Sequence, residues 1–437
     1  MHSKLSRLMF PIVFVATLAT TLTIWTNHSA AGITSPMLSL QLIAWGNLAG
    51  LLAYNLCLWQ LLLIGRIGWI ERPWGHDKLS HLHHVLGITA IAILILHPVL
   101  MTLGYSKEAG MLLASQFWLF LTSFDHVLQA FIAYLMFVSI VALSLWIVRK
   151  RLRYEVWYGI HVLLYLAIIL AFNHQFELGR DFSAVWAYRF WQAFFYGTLL
   201  TVLYYRFLKP AWQFHRYQFR VAHIERETAD VTSAIIEGKD MERLRAGAGQ
   251  FVIVHFLGKG FWWEAHPFSL SEMPNGKRLR LTVKAVGDFT RRIPEIPVGT
   301  RVWLEGPLGR FTADRASREK ILLIAGGIGI TPLRALFEKF ARLGRKVDLI
   351  YAARTEKDFA LKSELENIKN ENASISYVPG DTVGKLTPEI MQTQVPDILE
   401  RYVYVCGPPP MIQMVREQLI QMGLAKEFIR YEKFQLG

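Results

Sequence analysis

Four histidines lie within two long apolar segments and could bind a metal centre inside a membrane. His83 and His97 belong to HLHHVLGITAIAILILHP, and His161 and His174 belong to HVLLYLAIILAFNH. Imidazole is costly in hydrocarbon, so a histidine in such a segment usually marks a functional site. Neutral imidazole is also a common axial ligand of haem iron. The four side chains are therefore candidate ligands of iron porphyrin.

The spacing within each segment places the histidines at two depths. His83 and His97 lie 14 positions apart, which on an ideal helix is a rise of about 21 Å with both residues within about 40° of one face. His161 and His174 lie 13 positions apart, a rise of about 20 Å but roughly 140° out of register. The second segment therefore needs a distorted helix or different angles of approach if both histidines are to face one partner.

The composition indicates a membrane protein. Hydrophobic residues make up 53% of the chain, which is a high share for a soluble protein. Apolar stretches that are long enough to cross a bilayer cover residues 8–25, 39–64, 82–103, 126–148, 156–173 and 185–207. The first stretch could instead be a secretory signal peptide, because basic residues precede it and small residues follow it.

The basic residues indicate the orientation of these six stretches. The chain has 47 Lys and Arg against 34 Asp and Glu. Many of the basic residues lie beside the apolar stretches, at residues 4–7, 66–78, 149–153 and 206–209. Loops rich in Lys and Arg remain in the cytoplasm, so both termini are expected there. Because the basic residues lie beside membrane spans, nucleic-acid binding is not expected. In this orientation His83 lies at the depth of His161 and His97 at the depth of His174, which suits two stacked haems.

Other interpretations of the histidines remain open. Each could be an interfacial residue or a hydrogen-bonding partner between packed helices. His81 and His84 lie near the start of the third stretch, and either could replace His83 as a ligand. The two cysteines, Cys57 and Cys406, form no CxxCH motif, so haem would be held without covalent links.

The second half of the chain has the pattern of two folded domains. After about Lys209 the sequence changes to short alternating strands separated by Gly and Pro, and from EKILLIAGG onward strands alternate with helices. The first pattern is typical of an antiparallel barrel and the second of a parallel sheet flanked by helices. We therefore predict a multidomain chain with a six-helix all-α transmembrane bundle, an antiparallel β-barrel domain and an α/β parallel-sheet domain. The predicted bounds are residues 1–210, 211–312 and 313–437.

Residues 266–271 read HPFSLS and could form part of a flavin site. A flavin needs a flat apolar platform and a hydroxyl or backbone donor near its N5 atom, which Phe268 and Ser269 could provide from a strand. The alternative is an ordinary strand with a proline kink.

The sequence ILLIAGGIGITPLRALFEKF predicts a buried strand, a glycine turn and a helix. The glycines allow the backbone to approach a pyrophosphate, and Thr331 as helix cap with Pro332 in the first turn leaves N–H groups for an anion. The motif is not the GxGxxG of the general dinucleotide fingerprint, and it could be only a tight connection. Arg354, after the strand VDLIYAAR, could pair with the 2′-phosphate of NADPH or be an exposed charge.

In their order along the chain, these motifs resemble the ferric reductase-like family of transmembrane flavocytochromes that includes NADPH oxidases. The helix start Leu82-His83 and the helix end His97-Pro98 resemble its bacterial members. HPFS, VKAVGDFT, GPLGRF and GGIGITP resemble its FAD-binding and nucleotide-binding domains, which are similar to ferredoxin-NADP reductases. The resemblance implies two b-type haems ligated by His83, His97, His161 and His174. It also implies FAD- and NAD(P)H-binding residues, which are His266, Pro267, Phe268, Ser269, Lys284, Gly287, Thr290, Gly326, Gly327, Gly329, Thr331, Pro332, Arg354, Gly407 and Pro408.

Two further resemblances concern the nicotinamide site. VYVCGPPP resembles the family segment in which Cys406 and Gly407 border the nicotinamide ring, although a buried cysteine is otherwise a small core residue. The C-terminal YEKFQLG resembles the segment in which an aromatic covers the flavin, and Phe434 is the candidate. His266 and Phe268 stand where soluble relatives usually carry Arg and Tyr, which favours the membrane branch.

The resemblance implies a multi-pass oxidoreductase of the inner or plasma membrane, surrounded by lipid, with its dehydrogenase half in the cytoplasm. Electrons would pass from NAD(P)H through FAD and two haem b groups to an outside acceptor. Oxygen giving superoxide is the main expectation, because no metal-binding loop stands out in 104–124 or 174–184. The alternatives are a ferric chelate reductase, an electron supplier to a partner redox protein, or a binding protein with a decayed flavin domain. NADPH and NADH both stay open as donors.

Overall fold

The computed structural model describes residues 2–146, 154–177 and 180–432. The chain divides into two compact units, Met1–Phe207 and Leu208–Gly437, and each is described by itself. The finer domain bounds at residues 210 and 312 stay predictions.

The first unit is helical. Its helices are α1 (His2–His28), α2 (Leu38–Ile64), α3 (Gly68–Trp74), α4 (His76–Ala109), α5 (Leu113–Ser123), α6 (Val127–Trp146), α7 (Tyr154–Val162), α8 (Leu164–Leu170), α9 (His174–Glu177) and α10 (Val185–Leu203). Within the described residues, five helical stretches are long and apolar enough to cross a membrane, at Leu8–His28, Leu38–Ile64, Lys78–Ala109, Val127–Leu145 and Val156–Phe176. The sixth predicted span contains α10, which falls below that measure because Arg189 and Gln192 interrupt its apolar residues.

The helices α2 and α4 pack closely because glycines remove side chains from their contact. A Cβ atom on Gly46 would lie 2.8 Å from the sulfur of Met101, and one on Gly104 would lie 2.6 Å from Cγ1 of Ile43. Small residues at four-residue spacing let the backbones of membrane helices approach each other. This packing brings α2 against the face of α4 that carries the histidines.

The fifth predicted span is not one regular helix. The helix α7 ends at Val162 and α8 begins at Leu164, and turn residues 171–173 then separate α8 from α9. Each interruption changes the direction in which the following side chains point, relative to an ideal helix. The span therefore contains the distortion that its histidine spacing required.

The second unit begins with an antiparallel β region. It consists of α11 (Lys209–Tyr217), β1 (Arg220–Arg226), β2 (Val231–Glu237), β3 (Phe251–Phe256), β4 (His266–Ser269), β5 (Arg278–Lys284), α12 (Asp288–Arg291) and β6 (Val302–Leu308). The strands form two three-stranded antiparallel sheets, in the orders β1-β2-β5 and β4-β3-β6. Apolar side chains from both sheets form one core, which includes Phe219, Val252, Val254, Leu281 and Leu304.

The rest of the second unit is a parallel sheet between two layers of helices. Its elements are β7 (Ile321–Gly326), α13 (Ile330–Arg342), β8 (Val347–Ala353), α14 (Lys362–Ile368), β9 (Ala373–Pro379), α15 (Pro388–Gln394), β10 (Tyr402–Cys406), α16 (Pro409–Gln421) and β11 (Ile429–Glu432). The strand order is β11-β10-β7-β8-β9, and every pairing is parallel. All six residues of β7 are buried, because helices cover both faces of the sheet. The predicted fold class is confirmed as a helical part, an antiparallel β part and a parallel-sheet part, with five rather than six long apolar helices among the described residues.

Candidate functional site

The four predicted histidines form two facing pairs in the helical unit. The ring centroids of His83 on α4 and His161 on α7 lie 6.1 Å apart. Those of His97 on α4 and His174 on α9 lie 6.2 Å apart. Two imidazole nitrogens on opposite sides of one metal atom, at about 2 Å each, place the ring centroids about 6 Å apart. Each pair therefore has the separation that a six-coordinate haem iron requires.

The structure distinguishes His83 from its two neighbours. Among the described residues, His83 has a ring contact with His161, and neither His81 nor His84 has one. The interruptions after Val162 and Leu170 turn both His161 and His174 toward α4, although an ideal helix would place them roughly 140° apart. The pairing predicted from depth alone is thus the pairing of the rings in the fold.

Hydrogen bonds fix the protonation of three of the four rings. His83 Nδ1 lies 3.3 Å from the Gln60 carbonyl, and His97 Nδ1 lies 2.8 Å from the Gly46 carbonyl. A carbonyl only accepts, so both Nδ1 atoms carry the proton. The Nε2 lone pair of each ring is then available to a metal, as in many histidine ligands whose second nitrogen is anchored.

The third anchored ring is that of His161, which is held by α6. Its Nδ1 lies 3.1 Å from Ser144 Oγ, and the Ser144 hydroxyl donates its proton to the Ile140 carbonyl at 2.8 Å. Trp157 donates to the same Oγ at 3.0 Å, so Ser144 accepts from both rings. His174 differs, because its Nδ1 is near the Ala171 carbonyl without the geometry of a hydrogen bond.

A glycine on α2 makes room for the His97 ring. A Cβ atom on Gly50 would lie 2.7 Å from His97 Nδ1 and 2.8 Å from His97 Cε1, which is closer than real Cβ contacts. The ring can reach the Gly46 carbonyl only because position 50 has no side chain. Gly46 and Gly50 form a small-xxx-small pattern that could have been noticed in the sequence.

A cavity adjoins the pair of His97 and His174, and part of it is open to the surroundings. Its lining is mainly apolar and aromatic, with a few polar side chains that include Asn47, Gln175 and Asp181. A flat apolar group with a polar edge, such as a porphyrin, fits this lining, and both histidines are present to bind its iron.

The predicted flavin residues lie on an edge strand of the second unit. Val252 of β3 pairs with Phe268 of β4, and within the described part of the chain β4 is an edge strand of its sheet. An edge position tolerates Pro267, which cannot donate a ladder hydrogen bond. The ring of His266 stacks on Phe289 at 3.9 Å between centroids, and its Nε2 lies 3.4 Å from a carboxylate oxygen of the buried Glu264.

The other predicted flavin residues have partners of their own. Lys284 Nζ, at the end of β5, lies 3.2 Å from Asp230 Oδ2, so this ammonium has a carboxylate partner rather than open space. Thr290 Oγ1 accepts hydrogen bonds from the backbone N–H groups of Gly287 at 2.9 Å and Val286 at 3.0 Å. Thr290 therefore shapes this turn. Ser269, at the end of β4, is buried.

The glycine turn and the cysteine motif meet at the carboxyl ends of β7 and β10. A Cβ atom on Gly329 would lie 2.2 Å from the Cys406 carbonyl oxygen, and one on Gly407 would lie 3.1 Å from Gly326 Cα. Gly327 has a φ of +53°, which favours glycine. The edge at the carboxyl ends of parallel strands is the usual nucleotide site of such folds.

The cap of α13 lies two residues before the predicted one. The helix begins at Ile330 with Gly329 in the capping position, so the prediction that Thr331 caps the helix is wrong. Thr331 lies in the first turn, where its hydroxyl donates to the Ile328 carbonyl at 3.0 Å. Pro332 is in the first turn as predicted, because its missing N–H costs no hydrogen bond there.

The remaining predicted residues are at the same sheet edge or outside the described residues. Arg354 is exposed and follows β8, the neighbour of β7, and Pro408 immediately precedes α16. Cys406 is fully buried. Burial, and to a smaller extent the negative charge of the nearby Glu432, raise the pKa of its thiol well above the usual value. The thiol therefore stays neutral and is suited to packing rather than to nucleophilic attack. Phe434 lies outside the described residues.

Several contacts could not have been found by motif. Ser144 and the Gln60 carbonyl reach their histidines from helices that are distant in sequence, and Phe289 reaches His266 from α12. Only the tertiary fold brings these groups together.

Comparison with known proteins identifies three family matches along the chain. Residues 49–172 match the family described as "Ferric reductase like transmembrane component". Residues 216–310 match "FAD-binding domain" and residues 323–417 match "Oxidoreductase NAD-binding domain".

Curated relatives are similar to about half of the chain. A probable dihydroorotate dehydrogenase B (NAD(+)) electron transfer subunit of Thermococcus kodakarensis is 32% identical over 50% of this chain and 88% of its own length. Flavohemoprotein B of Dictyostelium discoideum is 28% identical over 50% of this chain and 59% of its own length. NADH oxidoreductase HCR of Escherichia coli is 29% identical over 50% of this chain and 68% of its own length. Among solved structures, a ferredoxin NADP+ reductase from Neisseria gonorrhoeae with bound FAD and NADP has a TM-score of 0.44 and 18% identity, covering 50% of this chain and 99% of that chain.

Proposed function

Because this chain belongs to the ferric reductase-like family of flavocytochromes and is a membrane oxidoreductase with FAD- and NAD(P)H-binding domains, we propose that it transfers electrons from NAD(P)H across the membrane to oxygen and produces superoxide. Bound FAD and two b-type haems would supply the conversion of hydride transfer into single-electron steps. The chain's own residues hold these groups, orient them and exclude water from them.

The observation that carries this proposal is the presence of two facing histidine pairs along one helix. His83 and His161 would hold the haem on the cytoplasmic side, and His97 and His174 would hold the outer haem. Ring separations of 6.1 and 6.2 Å suit one iron atom per pair. Anchored Nδ1 atoms leave Nε2 of His83, His97 and His161 unprotonated, which is the state that binds iron.

The second unit supplies the residues for the two-electron end of the reaction. The edge strand β4 would place Phe268 against the flavin ring and Ser269 near its N5 atom. The flavin phosphates would be held near the turn that Thr290 shapes. NAD(P)H would bind at the carboxyl edge of the parallel sheet, with its pyrophosphate at the glycine turn and its nicotinamide beside Cys406. Arg354 and Phe434 remain proposed contacts of the 2′-phosphate and of the flavin face.

The lining of the outer cavity favours oxygen as the acceptor. Its walls are mostly apolar and aromatic side chains, among them Leu94, Met101 and Phe137. A small neutral molecule enters such a space at little desolvation cost, whereas a charged ferric chelate would lose strong hydration. The basic loops support the orientation that this function needs, with the second unit in the cytoplasm. The membrane that we propose is the inner or plasma membrane.

The proposal is tested by the haem content and the acceptor of the purified protein. The optical spectrum is recorded before and after addition of NADPH to protein loaded with haem and FAD, and oxygen uptake is followed in parallel. We expect reduced haem bands and oxygen consumption, with cytochrome c reduction that superoxide dismutase abolishes. Dismutase-insensitive reduction with fast turnover of ferric chelates would instead identify a ferric reductase, and co-purification of an electron-accepting protein would identify a supply role.

Histidine variants test the ligand assignment. Alanine at His83, His97, His161 or His174 should lower the haem-to-protein ratio from two to one. His84→Ala is the matched control, because His84 neighbours His83 in sequence and has no ring contact with His161 among the described residues. Two haems retained in all four variants would contradict the assignment.

A further inference from the structure

One carboxylate is buried at the edge of the outer cavity, where the proposed electron transfer gives it no role. Asp181 lies in the short 3-10 segment Arg180–Phe182 between α9 and α10. Only 2% of the residue is exposed. It lines the same cavity as His97 and His174. Aspartate is almost never fully buried unless it is paired, so its surroundings need an explanation.

The side chains that hydrogen-bond to Asp181 and support it are neutral and provide few protons. Ser29 Oγ lies 2.8 Å from both carboxylate oxygens, and Asn47 Nδ2 donates to Ser29 Oγ at 2.9 Å. The single hydroxyl proton of Ser29 can serve only one of the two oxygens at a time. Among the described residues no Lys or Arg forms an ion pair with Asp181. The carboxylate is therefore held in place, but its charge is poorly compensated.

These surroundings shift the protonation of the carboxyl group toward neutral pH. Burial raises the pKa of Asp181, and the hydrogen bond from Ser29 and the charge of His28 offset this only in part. A buried charge such as the Asp181 carboxylate also interacts strongly with other charges nearby, because little water screens it. A centre that gains one electron beside this cavity would stabilise the neutral, protonated form of the acid.

Resting on the proposed haem function, we propose that Asp181 is a redox-linked proton site of the outer cavity. Its carboxylate takes up one proton from the outside solvent as one electron arrives at the haem held by His97 and His174. It returns that proton when the electron leaves for the acceptor. The electron and the proton arrive together, so their opposite charges cancel and the net charge of the cavity stays constant during turnover. Asp181 acts here through electrostatics as a positioning residue, without binding the iron.

The sign of the effect follows from linkage. If electron arrival favours protonation of Asp181, protonation must favour electron arrival by the same free energy. The midpoint potential of the outer haem therefore falls as the pH rises through the range in which Asp181 ionises, and it is constant above and below that range.

Other ionisable groups face this region and must be separated from Asp181. His28 at the end of α1 contacts Ser183, and His126 before α6 acts on His174. His97 and His174 bind iron in this proposal and so do not titrate. The charged residue on α10 is Arg189, which is exposed, and Arg180 precedes Asp181 in the sequence. The variants therefore include His28→Gln, His126→Gln and Arg180→Gln beside those at Asp181.

The test is an optical redox titration of the haem-loaded full chain at a series of pH values that starts at the ordinary aspartate pKa of about 4 and extends upward. In the wild type, the potential of one of the two haems should fall with rising pH. Asp181→Asn should remove most of that dependence and raise the potential at high pH, because the negative charge is gone. Ser29→Ala should move the dependence to higher pH, because the carboxylate loses its proton donor. Asp125→Asn, which changes an exposed acid before α6, should leave the wild-type behaviour.

The possible failures are distinguishable. A wild-type protein without haem bands overturns the proposed function, whereas two bound haems with pH-independent potentials overturn only the role of Asp181. The role also falls if Asp181→Asn keeps the full pH dependence, or if a histidine or Arg180 variant removes it instead. If Asp181→Asn fails to bind the outer haem, the Ser29→Ala variant decides. A pH dependence of the potential that moves to higher pH supports the proposal, and a pH dependence that stays unchanged overturns it.

Discussion

Replacing Gly50 by alanine should weaken haem binding at the outer histidine pair. The new Cβ would lie 2.7 Å from His97 Nδ1 and 2.8 Å from its Cε1. Neither the backbone of α2 nor that of α4 can move far, because Gly46 and Gly104 already bring the two helices into close contact. The His97 ring must therefore move, and its hydrogen bond to the Gly46 carbonyl lengthens beyond 2.8 Å.

The size of the effect follows from these two changes. Forcing one extra carbon into a packed site costs about 1–3 kcal/mol, and losing a hydrogen bond costs about 0.5–1.5 kcal/mol. Together they amount to about 1.5–4.5 kcal/mol, or roughly a 10- to 2000-fold weaker outer site. The gain of about 1 kcal/mol from the higher helix propensity of alanine applies with and without haem, so it does not restore binding.

The measurement is haem content per protein during titration of the purified variant with haem, together with the reduced spectrum. We expect one haem with wild-type affinity and one that fills only at higher haem concentration. Gly87→Ala is the matched control, since a Cβ on this α4 glycine would lie 3.6 Å from Gln60 Oε1, an ordinary contact. Two haems bound by Gly50→Ala with unchanged affinity would refute the reasoning, and so would an equal loss in Gly87→Ala.

Three further predictions concern other parts of the chain. Ser144→Ala removes the acceptor of His161 Nδ1 and should weaken the inner haem site roughly 10- to 100-fold. Haem titration measures this affinity, and Ser139→Ala on the exposed face of α6 should leave it unchanged. Because burial raises the pKa of the Cys406 thiol, iodoacetamide at about pH 8 should leave Cys406 unlabelled in the native protein and label it in denaturant, as measured by peptide mass spectrometry; labelling of the native protein would contradict its burial. Burial would raise the pKa of Asp397, but hydrogen bonds from Arg401 and Lys320 lower it to about 2. The stability that ionised Asp397 contributes is present above the unfolded pKa of about 4 and is lost as the pH falls toward 2. The melting temperatures of wild type and Asp397→Asn should therefore converge in acid. Asp288→Asn changes a fully exposed acid and should follow the wild type at every pH.

The depth of each histidine could be predicted from sequence because hydropathy and loop charge act over whole segments. The basic loops orient α4 and the fifth span in the same direction, so His83 lies at the depth of His161 and His97 at the depth of His174. The angular positions of His161 and His174 could not be predicted, because the periodicity argument assumes one regular helix. The interruptions at Leu163 and at residues 171–173 depend on tertiary packing, which overrides local periodicity.

In the nucleotide-binding half, too, some features could be predicted from the sequence and others could not. The continuous apolar run of β7 predicts a strand covered on both faces, and the parallel sheet follows from its alternation with helices. The cap of α13 was misassigned to Thr331, because a threonine before a proline has the composition of a cap whether or not the helix has already begun. The Nδ1 partners of the histidines were not predictable, since two are backbone carbonyls and carry no sequence signal.

The anchoring of the rings differs between the two sides of each pair, and this bears on how the protein matures. Carbonyl groups of the long helix α2 hold His83 and His97, whereas the opposite rings, His161 and His174, belong to the short helices α7 and α9, with α8 and two breaks between them. If these pairs hold haem as proposed, we expect the α7 to α9 side, with its breaks, to move aside for porphyrin insertion during biosynthesis, while the α2–α4 side stays in place.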